Sequence, residues 1–385
     1  MKRLKYIAYY DTLNHRREKR AFVLAATNKI DYLCAALNRI GYGVDIISMS
    51  GTYGGKTCPG RQVELNGHNT LRLFSSLGRG CKGKRILAHM WMQLQMFFFL
   101  LTKVKRNEAI LVYHSLGYAR AVMGAKLVKG FKLILEAEEI YQDAAPLSQG
   151  LRRAEYRLFE MADAYIFPTE LLENKLNKAQ KPSVVIYGTY HAELDRKCGF
   201  KDGRTHIAYA GTFDPRKGGA AAAVAAAAFL DGRFHLHILG FGSEKDTEEL
   251  RRMIAETSRK ARCGLTFEGL LGGEDYTRFL QSCQIGLSTQ NPDAAFNATS
   301  FPSKILSYLA NGLHVVSIRI PAVERSAVGD IVTYYDTQTP EEIAKAIQCV
   351  DLSKPYDPRK RISQLSAQFQ SQLQELLKAV AHEER

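Results

Sequence analysis

The chain has 385 residues, too many for one ordinary core and suited to two domains. With 46% hydrophobic and 24% charged residues it is globular in composition, which excludes a disordered or fibrous chain. The net charge of +14 falls wholly before residue 201: residues 1–200 hold 31 Lys and Arg against 17 Asp and Glu, and residues 201–385 hold 22 of each. One half is therefore built to face something anionic, and the other is neutral. No zinc-finger or RNP-like motif accompanies the charge, so nucleic acid is not the expected partner. An anionic membrane surface or a lipid-linked acceptor is. The seven cysteines are scattered without a C-x-x-C pair. This excludes the usual zinc spacing and a full disulfide framework, and no metal is expected. A reducing cytoplasm fits such cysteines, with peripheral attachment to the inner face of the membrane as a further expectation.

In chain order, Tyr6–Tyr10 reads as a buried strand, Ala26–Ile40 as a helix stopped by Gly41, and Val44–Ser48 as the next strand. The segment 51–84, rich in Gly, Asn, Lys and Arg, reads in part as loop, with a strand near Thr70–Phe74. Ile86–Leu101 is the most apolar stretch, shorter than the ~20 residues that span a bilayer, and reads as a helix of the first domain. Strand Ala109–Tyr113, helix Tyr118–Val128, strand Lys132–Glu136, helix Gly150–Met161, strand Ala164–Pro168 and strand Ser183–Tyr187 follow. The alternation then restarts. Strands His206–Ala210, Phe234–Leu239, Leu265–Glu268, Ile285–Ser288 and Val315–Ile318 are separated by helices Gly218–Phe229, Glu244–Thr257, Glu274–Gln281 and Pro302–Asn311. Strand Ile331–Tyr335, helix Pro340–Val350 and a long last helix, Arg359–Val380, complete the chain.

Strands separated by single helices imply parallel sheets covered on both faces. Two such runs imply two doubly wound Rossmann-like domains, residues 1–190 and 200–358. The last segment, 359–385, is expected to return to the first domain. Ligands of this fold class lie beyond the carboxyl ends of the strands, here in the cleft that two such domains would face.

Four segments carry chemistry. Tyr209–Gly219 (YAGTFDPRKGG) leaves a strand through Gly211 and Thr212, small enough for close approach to a ligand, and then presents Arg216 and Lys217. His237–Ser243 (HILGFGS) leaves another strand through Gly240 and Gly242. Gly269 ends a third. Asn297–Ser317 (NATSFPSKILSYLANGLHVVS) places Thr299 and Ser300 before a helix whose first amides, at Ser303 and Lys304, suit a phosphate without a metal. In the first half, His114 follows one strand, and Glu138 and Glu139 follow another. Each is a candidate general base for an acceptor hydroxyl. His15, Arg16 and Arg17 follow the first strand and are candidates for holding an anionic acceptor.

The order and spacing of these four segments resemble the donor domain of bacterial GT-B glycosyltransferases of the "group 1" type, over residues 204–350. The first half resembles the matching acceptor domain more weakly, through its opening strand–helix–strand and through Glu155–Pro168 (EYRLFEMADAYIFP). The resemblance implies a GT-B fold and transfer of a sugar from a nucleoside-diphosphate sugar to a sugar or lipid-linked acceptor, in bacterial surface polysaccharide or glycolipid assembly. It also implies a diphosphate held by Arg216, Lys217 and the amides of Ser303 and Lys304, without metal or other cofactor. The chain departs from the pattern in three places. Retaining members carry Glu-x7-Glu across the helix start, where this chain has Thr299 and Ser307. Many relatives also have a histidine near the position of Glu138. A sugar-nucleotide epimerase of the same fold, or a non-catalytic nucleotide-sugar-binding protein, is the alternative reading.

Overall fold

A computed structural model describes residues 1–12, 18–22, 24–144 and 147–382 of the chain. They form two compact units, one of Met1–Ile186 with Gln368–Arg385 and the other of Tyr187–Ala367.

The first unit runs β1 (Lys2–Ala8), α1 (Leu24–Arg39), β2 (Tyr42–Ser48), β3 (Arg61–Asn66), β4 (Asn69–Leu73), α2 (Lys82–Lys103), β5 (Ala109–Tyr113), α3 (Ala119–Lys129), β6 (Lys132–Glu136), α4 (Tyr141–Ala144), α5 (Gln149–Met161), β7 (Ala164–Phe167), α6 (Glu170–Leu176) and β8 (Ser183–Val185). The strands form one sheet in the order β3-β4-β2-β1-β5-β6-β7-β8. All neighbours are parallel except β3 and β4. Strand β4 matches the strand expected near Thr70–Phe74, and β3 pairs with it in a stretch where no strand was expected. The turn between them is set by Asn66, whose side-chain oxygen accepts from the amides of His68 and Asn69. Period-2 burial is missing in β1, β5, β6 and β7 because helices cover both faces, so these strands read as apolar runs.

The second unit runs β9 (Thr205–Thr212), α7 (Gly219–Ala226), β10 (Phe234–Phe241), α8 (Glu244–Ser258), β11 (Gly264–Gly269), α9 (Gly273–Gln281), β12 (Ile285–Ser288), α10 (Lys304–Ala310), β13 (His314–Ile318), α11 (Pro321–Glu324), β14 (Val332–Tyr335), α12 (Pro340–Gln348) and the start of α13 (Pro358–His382). Its six strands lie in the order β11-β10-β9-β12-β13-β14 and are all parallel. The helices begin as their sequences dictate. Ser243 and Thr339 accept from the amides three residues on, at Asp246 and Glu342, and Pro340 fills the first helical position of α12. The alanine-rich α7 has no polar face and is buried.

The second unit starts at Tyr187, where the alternation of elements suggests residue 200. Of the last segment, 359–385, expected to return to the first domain, the part from Gln368 belongs to the first unit and the part before it to the second. In the first unit, Phe369 of α13 stands 6.1 Å from the ring of Tyr32 on α1.

Gly240 illustrates how tightly the strands are drawn together where they end. Its φ is +136°, and a Cβ there would lie 1.7 Å from the carbonyl oxygen of Gly211 on β9. No neighbouring rotamer can relieve a clash with backbone. Gly240→Ala should therefore cost about 1–3 kcal/mol of stability. Urea unfolding should show a lower midpoint at unchanged slope; an unchanged midpoint would mean that the two backbones do not approach in this way.

Candidate functional site

In the second unit the strand order reverses between β9 and β12, the point at which doubly wound sheets bind ligands beyond the carboxyl ends of their strands. Gly211 and Thr212 end β9 here, and Thr289 and Gln290 follow β12. Two side chains hold this place together. The Thr289 hydroxyl donates to the carbonyl of Gly219 at 2.7 Å, tying the start of α7 to the end of β12. The hydroxyl of Tyr308, on α10, accepts from the amide of Ala210 at 2.7 Å and donates to the carbonyl of Leu287 at 3.2 Å. Its ring lies flat over Gly286, where a Cβ would approach it to 2.3 Å.

Lys304 lies one helical turn before Tyr308, on the same face of α10. Its ammonium stands 4.0 Å from the centroid of the Tyr209 ring. A Cβ on residue 211 would come within 2.8 Å of that ammonium, so the glycine leaves it room. Burial, and then the charge of Lys217, push the Lys304 pKa down to about 7. Among the described residues no carboxylate offsets this cation, and a cation–π contact is its recorded stabilising partner. Lys304 as a residue is half-buried, and its ammonium is turned inward over the Tyr209 ring at the switch point.

The other expected donor residues are placed as follows. Arg216 is 81% exposed, and its guanidinium is turned onto Asp214 at 2.7 and 3.0 Å. It forms a surface ion pair with the residue two positions earlier. Lys217 follows, exposed, before Gly218 caps α7. Gly242 precedes the cap of α8, and Gly269 ends β11 with φ +73°. Thr299 is buried, Ser300 half-buried and Ser303 exposed at the start of α10. The Ser307 hydroxyl lies 3.2 Å from that of Tyr276 on α9. The sequence reading had assigned Lys304 through its amide. The signal for its side chain was spacing: Lys304 and Tyr308 are four residues apart, and Tyr209 and Gly211 alternate to one face of β9.

In the first unit the reversal falls between β1 and β5. His114 follows β5 but is fully buried, between the rings of Tyr141 and Phe159 at 4.6 and 4.8 Å. Burial pushes its pKa down to about 4. Its Nε2 is 3.5 Å from the buried carboxyl of Glu155, whose pKa burial raises. His114 is thus a neutral core residue, and the expectation of an accessible base there is corrected. Glu138 is half-buried and forms a close ion pair with Lys29 of α1; Glu139 is half-buried beside it. Glu136, at the end of β6, is enclosed. It accepts a hydrogen bond from Tyr6 and stands 3.7 Å from Lys29. Burial raises its pKa to about 8, against the lowering effect of Lys29. The candidates His15, Arg16 and Arg17 lie outside the described residues. Arg20, from the same basic run, is buried and donates to the carbonyls of Ser50, Phe74 and Pro59 at 2.8–2.9 Å.

Residues 204–350 match the family described as Glycosyl transferases group 1. The matched segment lies within the second unit and is similar to that family, and the chain as a whole has the GT-B fold of the solved structures it resembles. Sucrose-phosphate synthase from Thermosynechococcus elongatus is similar in structure with a TM-score of 0.68 at 16% identity, over 98% of both chains. The Anabaena protein HepE, solved in complex with UDP, gives 0.65 at 13% identity, over 98% of this chain and all of that one. An E. coli structure titled trehalose-6-phosphate, bound with UDP-2-fluoro glucose, gives 0.66 at 11% identity, over 99% of both. No curated protein matches the sequence of this chain.

Glu136 yields a test of the first unit's electrostatics. Its folded-state pKa lies above the ordinary 4.5, so its contribution to stability is complete below pH 4.5 and is lost as pH rises through about 8. Glu136→Gln should remove much of that loss, on the order of 1–3 kcal/mol. Denaturant unfolding of both proteins on either side of this window checks it; equal pH slopes would contradict the buried, protonated carboxyl.

Proposed function

We propose that this protein transfers a sugar from a nucleoside-diphosphate sugar to an acceptor hydroxyl, and that its second unit holds the donor. The ammonium of the half-buried Lys304, set over the Tyr209 ring at the β9/β12 switch point inside the matched segment, carries this reading. A diphosphate seated there would meet Lys304, with Lys217 nearby, and the glycine-ended strands would let it approach the backbone. Two cations can stabilise a departing nucleotide diphosphate electrostatically, so the reading needs no metal for that step. Thr299 and Ser307 offer hydroxyls where a carboxylate pair is expected by resemblance, so contacts to sugar and ribose would be neutral hydrogen bonds. On the acceptor side Glu138 and Glu139 remain the candidate bases.

Titration of Lys304 provides the test. A diphosphate favours the ammonium and raises its pKa above 7, so binding takes up a proton above that pH and affinity falls as pH rises. Calorimetry with UDP and GDP in buffers of different ionisation enthalpy should show proton uptake in the wild type and none in Lys304→Met. The substitution should weaken the diphosphate by about 1.5–3 kcal/mol and the bare nucleoside little. Equal affinities in the two proteins would remove Lys304 from the site. Incubation with a panel of nucleotide sugars then tests transfer: slow hydrolysis, or transfer once an acceptor is added, supports it. Conversion of the donor without acceptor would make the protein an epimerase.

The setting we propose is the surface of an anionic membrane, in assembly of a surface polysaccharide or glycolipid. No helix among the described residues is long and apolar enough to cross a bilayer. Helix α2 instead presents an apolar stripe outward. Ile86, Leu87, Met90, Trp91, Leu94 and Phe98 are 42–59% exposed, while Ala88, Met92, Met96 and Leu100 are buried on its other face. Lys82, Lys84 and Arg85 flank one end, and Lys103, Lys105 and Arg106 the other. An exposed apolar stripe with basic ends suits shallow insertion among acidic headgroups, each cation adding about 1 kcal/mol near the surface. The protein should float with acidic vesicles at low salt, less at high salt, and not with neutral ones. Trp91→Ala with Phe98→Ala should reduce flotation without affecting UDP binding. Flotation unchanged by the double substitution would place the contact elsewhere.

A further inference from the structure

The second unit gathers three histidines at the amino ends of its strands, the opposite end from Lys304. His206 on β9 pairs in register with His235 on β10, and His237 lies two residues on, so all three share one face. One ring nitrogen of each lies within 4.8 Å of the others. The sequence pattern H-x-H on a strand was the available signal, but the absence of cysteine pairs had drawn the expectation of no metal. The third member comes from a strand 29 residues earlier and only the sheet brings it close.

The hydrogen bonds impose a condition. Asp202 accepts at 2.8 Å from Nε2 of His206, and Glu268 accepts at 2.8 Å from Nδ1 of His237. Thr266 donates to Glu268 at 2.6 Å, as befits an ionised carboxylate. Arg204 adds a more distant contact to Asp202 at 3.9 Å. A neutral imidazole has one N–H and one lone pair. If both imidazoles are neutral and both outer nitrogens donate to the carboxylates, the two inner ones, Nδ1 of His206 and Nε2 of His237, meet as lone pairs 2.8 Å apart. That arrangement calls for a cation between them. A proton would use two nitrogens; a third imidazole stands alongside. The carboxylate–histidine pairs on the outer side are the arrangement that orients metal-binding histidines. Phe200, itself exposed, stacks on His206 at 3.9 Å, and Phe279 stands edge-on to His237 at 5.1 Å; His206 and His237 are buried.

We propose that His206, His235 and His237 form a site for a divalent transition-metal ion of the zinc type, with Asp202 and Glu268 as the outer carboxylates. Bonds of about 2.0–2.1 Å to a tetrahedral ion set its ligand nitrogens roughly 3.3 Å apart, so the His206–His237 pair opens by about half an ångström. His235, half-buried and stacked on His237 at 4.3 Å, turns to complete the site. An ion here clamps β9 and β10, with β11 behind them, and so stiffens the sheet from the end away from the switch point.

The test uses the full chain without an affinity tag, stripped by chelator and titrated with zinc chloride alone against a chromophoric chelator. Cobalt chloride provides the visible absorption of a tetrahedral nitrogen site. An equimolar amount of metal should bind and raise the melting temperature. His237→Gln and His206→Gln should each lose at least tenfold in zinc affinity. Glu268→Gln should lose roughly 10- to 100-fold. His68→Gln, an exposed histidine of the first unit, should bind as wild type does. UDP binding or, failing that, circular dichroism verifies that the variants fold. Zinc affinity that is unchanged in the His206 and His237 variants overturns the proposal. So does a stripped protein whose melting temperature responds to pH but not to metal, for then a proton fills the place between the imidazoles.

Discussion

Tyr308 is the rivet of the second unit. One hydroxyl joins the backbones of two adjacent strands that are not consecutive in the chain, β9 and β12, at the place where the sheet's order reverses. Because the ring must lie flat on the sheet, residue 286 can only be glycine, and α10 can only cross at that height. Everything one turn earlier on α10 is thereby fixed in position. Lys304 is driven under the end of β9, against Tyr209 and into the gap that Gly211 leaves. Desolvation of an ammonium is costly, and here it is offset only in part by an aromatic face. The fold thus holds a cation in a place that an anion would relieve.

The two units share their wiring and differ in what they bury at the switch point. The second encloses an ammonium, and the first encloses acids and a neutral imidazole: Glu136 with Tyr6 and Lys29, and Glu155 with His114. Burial shifts each of these toward its uncharged form. Among the described residues of this half, Arg20 and Lys29 are buried cations, and the clusters at 82–85 and 103–106 lie on the surface apart from Val104. On α2 these clusters bracket an apolar stripe that the fold leaves outside. In a helix whose two faces are both apolar, packing decides which is spent on the core. Here Ala88, Met92, Met96 and Leu100, spaced by four, took that role.

Much of the fold was legible from the sequence because its signals are local. Apolar runs of strand length, Gly or Asn after helices, proline at a first helical turn and a Thr or Ser cap each act within a few residues. The doubly wound alternation, the four donor-side segments and their order all follow from such signals. So does the departure at Thr299 and Ser307. Of the 61–73 hairpin only the second strand was legible; β3 escaped notice because it is short and alternates half-buried with exposed residues, and the turn depends on one asparagine side chain.

What only the tertiary structure decided concerns charges and their partners. Arg216 follows β9 in sequence, whereas Lys304 reaches the same strand end only through the packing of α10. Asp214, two residues from Arg216, pairs with the first in solvent, while Tyr308 on α10 sets the second over the Tyr209 ring. His114 sits where a base could be, yet Tyr141 and Phe159 close over it. His206 and His237 are unremarkable in sequence until parallel pairing of β9 and β10 sets them nitrogen to nitrogen. The sequence determines which groups are present and which local element carries each. Whether a charge meets water, a counter-ion or another lone pair depends on residues tens or hundreds of positions away, and that is settled only when the sheet closes and its helices pack.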